Sequence, residues 1–276
     1  MLNERLAMNI EYGFEEYGFV VIRNVFDSDF LAERRIFLQN IIKYAEHNFE
    51  DPFEKYYLSH RADQGVLYDL VQRYPLFNEM VREDKILEAL STQLGDDIFM
   101  YENSVVYKPA GKKNGVPWHQ DFISRPKEPR KYIAWCAIDP VTKLTGALKV
   151  IPGSHKMGFL PWYTVEGETH HDRLDISTLD TSSAFHVELK PGDVLIFNQL
   201  VVHSSDEMNT NDLRLVFRAS FQNFEDIYTP RATPLVVRGG GAESLERLFN
   251  KPRIKNKEKG SFVKLINKIG RRLAKI

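Results

Sequence analysis

In the stretch "GVPWHQDF", Gly115 to Phe122, an imidazole and a carboxylate stand two residues apart, His119 and Asp121, within a run of apolar and aromatic residues. On a β-strand positions i and i+2 project to one side, so the two side chains would be presented together, with Trp118, Gln120 and Phe122 facing the other way. That is one way for a chain to offer two ligands to a metal ion. His-x-Asp also arises by chance in exposed turns and hydrogen-bonded pairs, so the pair needs support from elsewhere. His203, which closes the apolar run "LIFNQLVVH", is the candidate third ligand. Two histidines and one carboxylate form a facial set suited to Fe(II) that leaves positions open, whereas a closed structural site has four protein ligands. Arg214 follows in the apolar "LRLVFRASF". It cannot shed its charge, and its planar fork matches a carboxylate, so it calls for an anionic partner such as the far end of a dicarboxylate chelated to the metal. Arg218, four residues on and on the same side, competes for that role. The plain alternative is an edge arginine facing solvent or an acidic neighbour.

The elements that must position these residues are legible in outline. From Asp97 to Phe224 the chain is a series of β-branched and aromatic runs, "IFMYENSVVYKP", "PWHQDF", "KYIAWCAID", "ALKVIP", "AFHVELKPGDVLIFN", "QLVVHSS" and "LRLVFRASFQNF". Turn signals such as "KPAGKKNG", "PGSHKMG" and "KPGD" separate them. Many short strands without intervening helices predict antiparallel pairing in a sandwich or barrel. Ahead of them, "GFVVIRNVF" predicts a strand, and Asp27 or Ser28 an N-cap for a helix with Leu31, Ile36, Phe37, Ile41 and Ile42 at helical spacing. Two further helical stretches are predicted, near Gln64 to Arg73 and from Leu76 to Leu94. The expected organisation is a single domain over residues 1–250 with its β core at about 97–225, then a basic linker and an amphipathic helix over 251–276.

Bulk properties narrow the function. The 276 residues are 43% hydrophobic, and 37 basic residues nearly cancel 38 acidic ones, so no overall field points to nucleic acid as a partner. The single cysteine, Cys136, excludes an internal disulfide and a thiolate-rich metal site, and in "YIAWCAID" it reads as a small buried hydrophobe. Neither a long apolar leader nor a run of about 18 apolar residues is present, which predicts a soluble, unexported, cytoplasmic protein.

The ordered segments "GFVVIRNVFD", "YKPAG", "PWHQD", "AWCAID", "GALKVIPGSHKMG", "KPGDVLIFN" and "VVHSS" followed by "NDLRLVFRASF" resemble the phytanoyl-CoA dioxygenase family of Fe(II)- and 2-oxoglutarate-dependent oxygenases over about residues 10 to 225. The resemblance implies a mainly β protein with flanking helices, its core a double-stranded β-helix of jelly-roll, cupin-like form. It also implies that His119, Asp121 and His203 bind Fe(II), and that Arg214 holds the carboxylate of 2-oxoglutarate, with O2 as the oxidant. Lys108, Gln120, Trp135 and Ser205 fall where the family lines its cosubstrate pocket. Read from the residues alone, they are a strand-end charge, an outward strand residue, a core residue and a turn residue. Related halogenases carry glycine or alanine where Asp121 stands, so a hydroxylation or a related oxidation is implied. A non-catalytic binding protein on the same fold and a Zn hydrolase using the same three residues stay open; the hydrolase leaves Arg214 unexplained.

The other histidines compete weakly. His47 and His60 precede the β region, His186 sits in an alternating strand, and His155 belongs to the turn "PGSH". His170 and His171, with Asp172, lie in a polar loop. The inter-strand segments 111–115, 123–132 and 162–177 are where a small-molecule substrate would enter. Lys112, Lys113, Arg125, Lys127, Arg130 and Lys131 make that rim basic, which suits an anionic substrate or, equally, ordinary loop solvation. At the C-terminus, Phe262, Val263, Leu265, Ile266, Ile269, Leu273 and Ile276 alternate with basic residues in the pattern of an amphipathic helix. Residues 261–276 would then make peripheral contact with an anionic membrane face or dock on protein.

Overall fold

The computed structural model describes residues 9–47, 65–109, 115–166, 172–223 and 235–239. All of them belong to one compact unit that ends at Gly241, and the linker and helix expected over 251–276 lie outside the described residues. Fourteen strands are described: β1 (Ile10–Gly13), β2 (Phe19–Ile22), β3 (Gly65–Tyr68), β4 (Ile98–Lys108), β5 (Val116–His119), β6 (Tyr132–Ala137), β7 (Leu148–Val150), β8 (Trp162–Tyr163), β9 (Arg173–Leu174), β10 (Phe185–Val187), β11 (Val194–Asn198), β12 (His203–Ser205), β13 (Arg214–Asn223) and β14 (Leu235–Arg238). Eight form a large sheet in the order β1-β2-β11-β6-β13-β4-β14, with β3 also on β4; four form a smaller sheet, β10-β7-β12-β5. Every pairing is antiparallel. This is the predicted double-stranded β-helix, mainly β, two sheets face to face.

The period-2 pattern of the strands divides the apolar residues between two cores. Phe19, Val21, Ile133, Trp135, Leu195, Phe197 and Val216 turn inward to meet Leu148, Val150 and Val187 of the smaller sheet. Their neighbours Val20, Ile22, Ala134, Cys136, Val194, Ile196, Leu215 and Phe217 turn outward under the helical layer. Cys136 is buried there as a free thiol, and burial pushes its pKa up. The helices of that layer are α1 (Phe14–Tyr17), α2 (Ser28–His47), α3 (Leu70–Arg73) and α4 (Asp84–Leu94).

Asp27 caps α2 as predicted, its Oδ1 accepting from the Phe30 backbone N–H at 2.8 Å. The helix rotates slightly from the expected stripe. Leu31, Leu38 and Ile42 enter the core, whereas Ile36 is 60% exposed. The helix predicted near Gln64 to Arg73 is instead β3 followed by the single turn of α3. The stretch predicted as helix from Leu76 to Leu94 is helical only from Asp84, after two short 3-10 turns at Pro75–Phe77 and Glu79–Val81. The strands β1, β3, β8, β9 and β14 have no counterpart among the predicted runs.

Candidate active site

His119 ends β5 and His203 begins β12, and the antiparallel register sets the two residues directly opposite each other. Their rings lie 4.1 Å apart between centroids. In each, Nδ1 faces the carbonyl two residues earlier, Pro117 O at 2.8 Å and Val201 O at 2.9 Å. A ring that donates from Nδ1 to a carbonyl leaves Nε2 as the ligand atom, which fixes tautomer and orientation together. Asp121 completes the set, and the ligand atoms of the three residues all lie within 4.8 Å of one another.

The placement of Asp121 differs from the expected strand alternation. β5 stops at His119 and residues 121–124 form a turn, in which the Asp121 N–H donates to Gln199 O at 3.0 Å and Phe122 adopts φ 56°. Turn geometry therefore brings the carboxylate beside the imidazole, with Oδ1 3.9 Å from His119 Nε2. The other oxygen, Oδ2, accepts from Arg218 Nη2 at 3.1 Å. Burial acts to raise the Asp121 pKa, but Arg218 and the two imidazoles outweigh it and hold the carboxyl below its usual range. Burial and the neighbouring His203 push His119 down to about 3, and burial lowers His203 as well. All three residues therefore stand deprotonated near neutral pH, the state in which they bind metal.

The triad opens into a cavity of about 280 Å³ that is also lined by Lys108, Trp135, Ser205, Arg214 and Arg218. Four of the five residues assigned to the cosubstrate thus share one chamber with the triad. Arg214, at the start of β13, is 2% exposed. Among the described residues its Nε and Nη1 are buried without a hydrogen-bond partner, and its guanidinium lies 5.1 Å from the centroid of the Trp135 ring. Burial pushes its pKa down to about 9, only partly offset by Asp139. A buried cation with unpartnered donors is costly unless an anion joins it, and a carboxylate meets that requirement bidentately. Across the register from Arg214 lies Lys108, whose Nζ donates to Ser205 Oγ at 2.9 Å and to Asp206 O at 2.8 Å. Gly146 makes room for that ammonium: a Cβ there would stand 2.6 Å from Lys108 Nζ. The residues present therefore fit Fe(II) at the triad and a dicarboxylate reaching Arg214.

Gln120 is placed elsewhere. Its Nε2 donates to Gly158 O and Leu200 O at 2.9 and 2.8 Å, and its Oε1 accepts from the Leu160 N–H at 3.0 Å. The side chain tethers the 158–160 loop to the turn before β12 and does not line the cavity. The basic rim is also smaller than expected. Lys131 is fully buried, its Nζ 2.8 Å from Glu128 and 4.6 and 4.8 Å from the Tyr101 and Phe122 ring centroids. Arg125 donates to the Tyr101 hydroxyl at 2.9 Å, while Lys127 and Arg130 are exposed. Lys112 and Lys113 lie outside the described residues, as do His60, His170 and His171. His186 pairs with Asp206 at 2.6 Å, and neither it nor His155 lines the cavity.

Three residues beyond those predicted for the site also line the cavity: Arg218, expected only as a rival to Arg214, with Glu102 and Phe122. Arg218 donates to Glu102 Oε1 at 2.8 Å as well as to Asp121. The signal was present in β13, where two arginines four apart share one face of a buried strand.

Comparison with known proteins carries the same reading. Residues 14–216 match the family model for phytanoyl-CoA dioxygenase. A Caenorhabditis elegans protein described as a probable phytanoyl-CoA dioxygenase is 29% identical over 59% of this chain and 52% of its own length. The peroxisomal phytanoyl-CoA dioxygenase of Homo sapiens is 25% identical over 89% of this chain and 75% of its own. The chain thus spans about half of the first relative and three quarters of the second. Among solved structures, the non-heme monooxygenase ThoJ superposes with a TM-score of 0.67, at 20% identity and 82% coverage of both chains, a likeness of fold. With a family match over residues 14–216, most of its length, and a His–Asp–His set within that span, this chain belongs to the phytanoyl-CoA dioxygenase family.

Proposed function

We propose that this iron- and 2-oxoglutarate-dependent dioxygenase hydroxylates an unactivated C–H bond of a small metabolite, one that is anionic or linked to a lipid or sugar. The observation that carries the reading is the coexistence, in one cavity, of His119, Asp121 and His203 with the buried guanidinium of Arg214, whose Nε and Nη1 have no hydrogen-bond partner among the described residues. With O2, iron and 2-oxoglutarate supply the oxidising power, 2-oxoglutarate being cleaved to succinate and carbon dioxide as the substrate is oxidised. The protein's own residues set the geometry. The two imidazoles and Asp121 would hold the metal, Arg214 with Lys108 and Ser205 would fix the far carboxylate, and Trp135 packs beside Arg214 while Phe197 packs on His203. Asp121 occupies the position that a halide would need, which supports hydroxylation or a related oxidation over halogenation.

Among the described lining residues, Lys108, Arg214 and Arg218 outnumber Glu102 and Asp121 by one charge. A divalent metal and a dianionic cosubstrate leave that excess in place, which favours a neutral or anionic substrate over a cationic one. Val66, Val106 and Phe122, beside Tyr68 and Ser104, also line the cavity and suit a partly apolar group. Reaction is proposed to take place in the cytoplasm, with residues 261–276 making peripheral contact at the inner membrane face. No helix of the described residues is long and apolar enough to cross a membrane. The test is a substrate panel read by succinate release, with products from ¹⁸O2 analysed by mass. A product carrying one ¹⁸O is expected; a chlorinated product formed in the presence of chloride would overturn the hydroxylase reading. For the membrane proposal, deleting 261–276 should abolish binding to anionic vesicles, and unchanged binding would remove it.

A further inference from the structure

Arg218 lines the cavity, yet it differs from Arg214 in that both of its Nη groups are occupied by carboxylates. Nη2 donates to Asp121 Oδ2 at 3.1 Å and Nη1 to Glu102 Oε1 at 2.8 Å. The two contacts commit this guanidinium to carboxylates of the protein itself. We infer that Arg218 is a positioning residue, held by Glu102, which fixes the Asp121 carboxylate so that Oδ1 alone is offered to the metal; the inference rests on the iron-dependent reading above.

The need for such a residue follows from the local fold. His119 and His203 sit in paired strands and have their rings set by backbone carbonyls. Asp121 has left the strand, and in its turn the backbone contact is a single N–H to Gln199 O. A carboxylate on a turn has two equivalent oxygens and a free torsion, so without a second contact it could rotate or offer both oxygens to a cation. Arg218 removes that freedom by engaging Oδ2, while Oδ1 stays 3.9 Å from His119 Nε2. The next residue is held as well. Phe122 keeps φ 56°, a region uncommon for a bulky side chain, with its ring 5.6 Å from the Arg218 guanidinium, 4.8 Å from Lys131 Nζ and 5.7 Å from the Tyr101 ring. Arg218 therefore contacts Asp121 and Phe122, the first two residues of the turn that carries the ligand. Glu102, on the neighbouring strand β4, completes the clamp from the far side.

The test uses Co(II) as the probe metal, titrated under argon into the full-length protein and into Arg218→Met, Arg218→Lys and Glu102→Gln, first alone and then with 2-oxoglutarate. Losing an outer partner of a metal ligand typically weakens metal binding by about 10- to 100-fold. Arg218→Met is expected to weaken Co(II) within that range and to change the intensity of its visible d–d bands, which report coordination number. Arg218→Lys, which keeps one charged donor, should recover part of both. Glu102→Gln, which keeps an acceptor for Nη1, should stay near wild type. A folded Arg218→Met, or Arg218→Lys if the first is unstable, with wild-type Co(II) affinity and spectrum would overturn the inference alone. Wild-type protein whose Co(II) spectrum does not respond to 2-oxoglutarate would overturn the iron-dependent reading and this inference with it.

Discussion

Replacing Arg214 with methionine should make the ligand-free protein more stable and the cosubstrate complex far weaker. Methionine keeps most of the length of the side chain and its packing on Trp135, but removes a guanidinium that is 2% exposed with Nε and Nη1 unpartnered. Leaving buried donors unsatisfied costs about 1–3 kcal/mol, more for a charged group, and Arg214→Met relieves that cost. In a unit of this size each kcal/mol corresponds to roughly 2–4 °C, so the melting temperature of the metal-free protein should rise by at least about 2 °C. The bound state changes in the other direction. A 2-oxoglutarate carboxylate without its buried cation should lose about 3–4 kcal/mol, or roughly a hundred- to a thousandfold in affinity. Differential scanning fluorimetry without ligand and anaerobic 2-oxoglutarate titration of the metal-loaded protein measure the two effects. A variant that melts lower and binds 2-oxoglutarate within threefold of wild type would refute the assignment, since Arg214 would then be a structural cation with a partner of its own.

Other substitutions separate site residues from scaffold. Gln120→Leu removes three hydrogen bonds to loop backbone and should lower stability by about 2–4 kcal/mol, at roughly 1 kcal/mol each, leaving the 2-oxoglutarate affinity of the folded fraction unchanged; an affinity loss above tenfold would return Gln120 to the pocket. Lys108→Met should weaken 2-oxoglutarate by about tenfold through loss of one charged contact, with no change in Co(II) affinity alone; a parallel loss of metal binding would contradict a role confined to the cosubstrate. The metal-free protein should also be acid-sensitive. His119 is held down to about 3 and His203 is lowered too, so below their ordinary value near 6.5 the unfolded chain takes up protons that the folded chain refuses, and stability falls as pH drops through that window. Denaturant midpoints at pH 7.5 and 5 should show the decline, and His119→Gln should flatten it; equal slopes would sink the argument. Cys136 should react with a thiol reagent only in denaturant, and fast labelling of native protein would contradict its burial.

How far the site could be read from sequence depended on whether local pattern or long-range pairing determined each residue's surroundings. His119, Asp121, His203 and Arg214 stood out because their types are costly or reactive in apolar runs, and β5, β12 and β13 bring them together. Their mutual geometry was not legible: the pairing of His203 with His119 is a cross-strand register, and Asp121 arrives by a turn. Gln120 was misplaced because its partners, at residues 158–160 and 200, are distant in sequence. Lys131 looked like a rim charge, since nothing in "PRKYIAW" says that Glu128 and two aromatic rings will enclose it. The mistaken helix at residues 64–73 has a clearer cause. "GVLYDLV" suits either period, and pairing of Val66 with Val106 on β4 decided for strand. Gly65 was the available clue, because a Cβ there would overlap the Tyr107 ring at 1.7 Å, a close approach that a helical glycine would not need.

The central claim, that His119, Asp121 and His203 hold iron beside a 2-oxoglutarate site ending at Arg214, is tested most directly by adding Fe(II) and then 2-oxoglutarate to the metal-free protein under strict anaerobiosis. The account predicts a weak visible charge-transfer band that appears only with both additions, vanishes in His119→Ala and requires far more 2-oxoglutarate in Arg214→Ala. Well-folded protein that takes up Fe(II) but gives no such band, or gives it undiminished in His119→Ala, would contradict the account.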